Sequence, residues 1–241
     1  MNILSPHLQY NNPISEEKLD EMLRLLQVSS SDLIIDIGGG SGAVLLKMIT
    51  KSKAKGILIE KNEKLLKRCR EKSSWLIDSG KLVLVANDAK KYLSDLQRGS
   101  VDCFVCIGAT YALGGYIEAI TLLKPYLKKG GFLLVGEEYW KQEPPAQYLE
   151  ILGGTASDSR YHYQNIEVAD EQDLTYLYSH VASEDEWNRF EGIYFLEEEL
   201  KANTLSESER KKHLTNLRRF RRAQYRYGRA TMGFGLYLFR K

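Results

Sequence analysis

The chain is poor in the features that mark several kinds of protein. It has three cysteines in 241 residues, Cys69, Cys103 and Cys106, an odd number that suggests no disulfide framework, so a reducing, cytoplasmic setting is expected. The opening residues, MNILSPHLQYNN, have neither the basic start nor the apolar core of a secretory signal. No apolar run approaches the roughly 18 residues that span a bilayer, and the expectation is a soluble protein with no membrane partner. An excess of one charge is missing too. Thirty-four basic residues stand against 32 acidic ones, a net +2 that argues against a protein devoted to coating nucleic acid. The four histidines, His7, His162, His180 and His213, are too scattered to suggest a metal cluster, and no G-x-x-x-x-G-K-[ST] phosphate loop occurs. Repeats and low-complexity tracts are also absent.

Against these absences stands DLIIDIGGGSGAVLLKMI, Asp32 to Ile49, with four glycines in five positions directly after a short apolar run. A buried strand that ends in glycines and re-enters a helix is a cradle for a nucleotide-like ligand, because bare N–H groups and a helix N-terminus face it. Strand-like runs recur at 33–37, 55–60, 81–86, 101–107 and 131–136, each separated by a helical segment. Five buried strands alternating with helices define an α/β chain with a doubly wound parallel sheet. A further helix starts near Ser15 with Leu19, Met22, Leu23 and Leu26 at helical spacing, and 174–181 and 233–241 read as two more strands.

In such sheets a ligand sits beyond the carboxyl ends of the strands. The first tip carries Asp36 ahead of Gly38, Gly40 and Gly42. The second carries Glu60, 18 residues beyond Gly42 and well placed to accept from a ribose diol. The third ends in Asn87-Asp88-Ala89, where a short acid can accept from an exocyclic amine, and the fourth in Gly108-Ala109-Thr110-Tyr111. The same glycines also satisfy the G-x-G-x-x-A fingerprint of a nicotinamide dinucleotide, so an NAD-dependent oxidoreductase is the rival reading.

The stretch Asp36 to Gly42 resembles the D-x-G-x-G-x-G motif of the class I S-adenosylmethionine-dependent methyltransferases. IGATYALGG, GEEYW and YGRATMGFGLYLFRK resemble a bacterial small-molecule subgroup whose acceptors are mostly unassigned. The resemblance implies a Rossmann-like seven-stranded sheet, mostly parallel with an antiparallel last strand. It implies S-adenosyl-L-methionine as cofactor, S-adenosyl-L-homocysteine as product and no metal. Gly38, Gly40 and Gly42 would pass under the methionine part, Glu60 would hold the ribose hydroxyls with Lys61 or Asn62 beside the adenine, Asp88 and the Ala89 N–H would meet the adenine edge, and Gly108 and Ala109 would floor the sulfonium. The whole chain, 1–241, would be one methyltransferase domain with a helical cap at 1–30 and lid-forming helical insertions at 141–172 and 182–232.

Methyl transfer is an in-line displacement in which the protein chiefly aligns the reactants, and a base matters only for a protonated acceptor. Glu137 and Tyr111 are the candidates for that work, and His7, Tyr139 and Trp140 for contact with a small-molecule acceptor. Cys103-Phe104-Val105-Cys106 has redox or zinc spacing but lies within an apolar strand, which favours packed thiols. Residues 210–229 hold nine Lys or Arg and no acid, whereas 184–209 hold nine acids and two bases. Self-neutralisation of two such helices is expected over nucleic-acid binding, although an RNA methyltransferase using the basic helix is a second alternative.

Overall fold

The apolar runs between the glycine turns form the middle of a seven-stranded sheet in the computed structural model, which describes residues 5 and 7–241. Helix α1 (Glu16–Leu25) is followed by β1 (Leu33–Ile37), α2 (Ala43–Ser52), β2 (Lys55–Ile59), α3 (Glu63–Asp78), β3 (Leu82–Val85), α4 (Ala89–Ser94), β4 (Val101–Ile107), α5 (Tyr116–Leu123) and β5 (Leu127–Trp140). Then come α6 (Ala146–Leu152), α7 (His162–Glu171), β6 (Thr175–Val181), α8 (Glu184–Lys201) and α9 (Glu207–Ala223). A π-helical turn (Gln224–Gly228) and α10 (Arg229–Thr231) lead into β7 (Met232–Arg240).

The strand order is β3-β2-β1-β4-β5-β7-β6, with β1 parallel to β2 and β4, β2 to β3, and β4 to β5. Reversal in β7 shows in its end bonds. The start of β5 bonds the end of β7 (Gly130 N–H to Lys241 C=O, 2.7 Å), and Lys141, just past β5, bonds Thr231 at the entrance to β7 (2.7 Å). The strand order turns back between β1 and β4, so the tips of β1, β2 and β4 open onto one crevice.

The chain divides into two compact units. One comprises Glu16–Glu137, Asn165–His180 and Gly235–Lys241. Its strands are buried on both faces, and on one of them Ile35, Ile37, Phe104, Cys106, Leu133 and Val135 pack against Leu113, Ile120 and Leu123. Cys103 and Cys106 are free and fully buried in β4, and burial pushes both thiols up, which leaves them unreactive packing groups.

The other unit comprises the described residues before Glu16 together with Glu138–Gln164 and Val181–Phe234. Helix α8 opens with a capping box, Ser183 and Glu186 bonding each other's backbone. Helix α9 packs on α8 through Phe220, whose ring lies 6.4 and 6.1 Å from those of Tyr194 and Phe195. The expected neutralisation of the basic helix is incomplete. Arg221 meets Glu199 (3.2 Å), His213 meets Glu198 (3.3 Å), and Arg229 pairs with buried Glu191. Arg218, Arg222 and Arg226 have no carboxylate within 4.0 Å among the described residues. The acids of α8 lie where only part of α9 can reach them.

A second correction concerns β5, expected at 131–136 but running from Leu127 to Trp140. The paired acids Glu137 and Glu138 interrupt the apolar run, yet the backbone stays extended because β7 continues beside it. Glu137 to Trp140 therefore belong to the strand and not to a tip beyond it. No described helix is long and apolar enough to cross a membrane.

Candidate active site

The glycine turn divides its labour between packing and openness. Gly38 has φ +64°, and a Cβ there would lie 2.5 Å from the Ala109 Cβ, so the turn after β1 closes onto the tip of β4. At Gly39 a Cβ would lie 2.5 Å from an Asp36 carboxylate oxygen, and at Gly42 it would lie 2.6 Å from the Cys69 sulfur. Gly40 (φ +58°) and Gly108 (φ +64°) are different, because a Cβ at either would meet nothing within 4 Å. Both bare positions face open space at neighbouring strand tips.

Glu60 is held ready at the tip of β2. One carboxylate oxygen accepts from the Gly40 N–H (3.1 Å) and the other from the Asn62 N–H (2.7 Å). Asn62 in turn caps α3, its side chain accepting from the Lys64 N–H. At the third tip Asp88 caps α4 by accepting from the Lys91 N–H (3.2 Å) and pairs with Lys61 (2.5 Å). The Lys61 hydrogen bond chiefly holds the Asp88 carboxyl below the usual range. Ala89 is buried in the first turn of α4.

Asp36 is 3% exposed within β1 and is pushed up to about 8, first by burial and then by the like charge of Glu60. It is therefore largely protonated at neutral pH. At the fourth tip, buried Thr110 donates its hydroxyl to Glu137 within β5, while Tyr111 stands 80% exposed beside it. Sequence reasoning missed Thr110, and a hydroxyl one residue before a candidate aromatic was the only available signal.

Three other candidates lie in the second unit. His7 is exposed, and its N–H donates to the Ser5 hydroxyl (3.0 Å). Tyr139 is buried with its ring 4.9 Å from that of His162, and Gly233 packs directly against the phenol. Trp140 is buried, and its indole N–H donates to the Ala156 carbonyl (2.8 Å). Its polar handle is thus spent on the fold.

No protein-family model matches the chain. In sequence it is similar to the uncharacterized protein YjhP of Escherichia coli (strain K12), 29% identical over 188 residues, which cover 77% of this chain and 75% of YjhP. The X-ray structure of YjhP matches with a TM-score of 0.82 at 26% identity, over 95% of this chain and 94% of that one. A SAM-dependent methyltransferase from Thiobacillus denitrificans, crystallised with S-adenosyl-L-homocysteine, matches with a TM-score of 0.81 at 24% identity, over 96% and 93%. One from Geobacter sulfurreducens in the same complex gives 0.82 at 24% identity over the same shares. The chain has the class I methyltransferase fold: a Rossmann-like, mostly parallel seven-stranded sheet with its last strand antiparallel, as the resemblance implied.

Proposed function

We propose that the chain is an S-adenosyl-L-methionine-dependent methyltransferase acting on a small-molecule acceptor, with S-adenosyl-L-homocysteine as product. The observation that carries the reading is Glu60. Its two oxygens are oriented by the Gly40 and Asn62 N–H groups at the mouth of an open glycine turn, which suits a vicinal diol. The cradle tests well for such a group, since Gly40 and Gly108 leave space where any side chain would intrude. Its tips offer carboxylates, Glu60 and Asp88, and the glycine turn has no phosphate-binding lysine of the G-x-x-x-x-G-K-[ST] kind.

When bound, the cofactor supplies a methyl carbon activated by a sulfonium. Glu60 holds the ribose hydroxyls, Asp88 and the Ala89 N–H meet the adenine edge, Lys61 flanks it, Gly40 permits close backbone approach under the methionine part, and Gly38 and Gly42 hold the turn that presents it. Gly108 and Ala109 form the floor. Glu137, steadied by Thr110, orients the acceptor or takes its proton, and Tyr111 offers a hydroxyl and an aromatic face beside it. In-line alignment by these groups is the main catalytic contribution. His7, Tyr139 and Trp140, the residues expected to contact the acceptor, belong to the other unit.

Calorimetry tests the reading. S-adenosyl-L-methionine and S-adenosyl-L-homocysteine are expected to bind with one site per chain and NAD to give no heat, whereas tight NAD binding alone would replace this reading with the oxidoreductase. Incubation with labelled cofactor and a metabolite extract, followed by mass spectrometry, then identifies the acceptor. On that acceptor Glu137→Gln should lower turnover with cofactor affinity nearly unchanged. Unaltered turnover removes Glu137 from the reaction.

A further inference from the structure

Within the second unit, α6, α9 and the π-helical turn border an open groove of about 450 Å³. Its floor is apolar, formed by Ile151, Ala223 and the ring of Tyr227. Its rim is cationic, formed by Arg218, Arg219, Arg222 and Arg226, with Thr215 at one end. None of these residues belongs to the candidate active site. The volume falls within the range that holds small organic ligands, roughly 300–1,000 Å³.

The rim arginines differ from Arg221 and Arg229 in their partners. Arg221 and Arg229 meet Glu199 and Glu191, while Arg219 makes only a long, exposed contact with Glu150 (3.6 Å). Arg218, Arg222 and Arg226 are exposed and meet no carboxylate among the described residues. Like charges four residues apart oppose helix formation, and the chain maintains two such steps here, from 218 to 222 and from 222 to 226. Arg226 lies 5.4 Å from the centre of the Tyr227 ring, which holds a guanidinium against the aromatic wall. Guanidinium forks match phosphate oxygens in pairs, and an apolar floor under a cationic rim matches a ligand with an apolar body and an anionic head.

We propose that this groove is a binding site for a small organic phosphate, its apolar or aromatic body on Ile151, Ala223 and Tyr227 and its phosphate between Arg218, Arg222 and Arg226. The small volume and apolar floor favour a compact amphiphile over a nucleic-acid strand, which needs an extended track.

The probe is 1-naphthyl phosphate, followed by its fluorescence at physiological salt on the full chain, with 1-naphthol and inorganic phosphate as the separated halves. Binding of the phosphate ester should exceed that of either half at least about tenfold, because head and body bind together. The exposed double variant Arg218→Gln/Arg222→Gln should weaken it by about tenfold or more, while Arg210→Gln, outside the groove, should leave it unchanged. Added S-adenosyl-L-homocysteine should not compete. Equal affinity in the double variant overturns the proposal, as does competition by S-adenosyl-L-homocysteine, which would move the probe to the strand tips. Inorganic phosphate binding as tightly as the ester would remove the apolar floor from recognition. A short single-stranded RNA that binds more tightly than the ester, with a steep loss on added salt, would assign the face to nucleic acid instead.

Discussion

Asp36 and Glu191 are buried to nearly the same degree, 3% and 1% exposed, and the two units treat them in opposite ways. Glu191 lies against Arg229, which also donates to Asn188 (2.8 Å) and stacks on Trp187 and Tyr225 with its carbon 5.7 and 5.2 Å from the ring centres. Asp36 has no cation within 4.0 Å among the described residues, and a second carboxylate acts on it. In the helical unit a buried charge is met by pairing. At the strand tips it is met by protonation, because a cation beside Asp36 would occupy the cradle that the glycines keep open. Such a difference separates a group that holds a fold from one that sits in a binding cleft.

Removing the pair should produce the largest effect. Arg229→Ala strands a carboxylate whose burial already pushes it above the usual range against the pull of Arg229, and should cost about 3–5 kcal/mol in urea unfolding. Glu191→Gln/Arg229→Met, which removes both charges, should recover most of that loss. If Arg229→Ala unfolds no more easily than the native chain, the pairing side of the comparison fails.

The protonation side is read from pH. The folded-state value of Asp36, about 8, lies above its ordinary 3.8, so its contribution to stability is complete below pH 3.8 and is lost as pH rises through about 8. Within that window each pH unit removes at most about 1.4 kcal/mol, or roughly 3–5 °C in the thermal midpoint of a chain this size. Asp36→Asn should flatten the profile between pH 5 and 8. A native profile already flat there would mean that Asp36 is ionised in the folded protein.

Glu60→Gln connects the two sides, since Glu60 both raises Asp36 and, in the proposed function, holds a diol. Its loss should shift the Asp36 profile to lower pH and weaken cofactor binding by about 1–3 kcal/mol, measured by calorimetry. A shifted profile with unchanged affinity would leave Glu60 an electrostatic neighbour only.

Much of the sheet unit is legible in the chain because its signals are local. Leu33 to Ile37 and Val101 to Ile107 are apolar apart from one aspartate each, Asp36 and Asp102, and their strands have those bounds. The glycine turn likewise announces a bend and a cradle, although only the folded chain shows that Gly38 and Gly42 serve packing while Gly40 faces open space. The helical unit is less legible because its signals are relational. Nine bases after nine acids suggest neutralisation, but which arginine meets which acid depends on the packing of α9 on α8, and the sequence does not specify that. The π-helical turn at Gln224–Gly228 has no local signature either. It is tied by distant groups, the Tyr148 hydroxyl on Gln224 and close packing at Gly228.

The smallest expected effect belongs to Lys61, which brings to the strand tips the pairing that the helical unit uses. Its contact with Asp88 is short at 2.5 Å, but the two side chains are 65% and 37% exposed, and exposed ion pairs contribute little to stability. Lys61→Met should therefore barely move the thermal midpoint. Its effect on the cofactor is the informative measurement. If Asp88 accepts from an adenine amine, Lys61 competes for the same carboxylate, and its removal should leave affinity unchanged or raise it by less than about threefold. A loss of about tenfold would show that Lys61, where it flanks the adenine, contributes more to cofactor binding than its competition for Asp88 costs. The third tip would then recognise its ligand through a cation, and the contrast between carboxylate-lined tips and an arginine-lined helix would have to be redrawn.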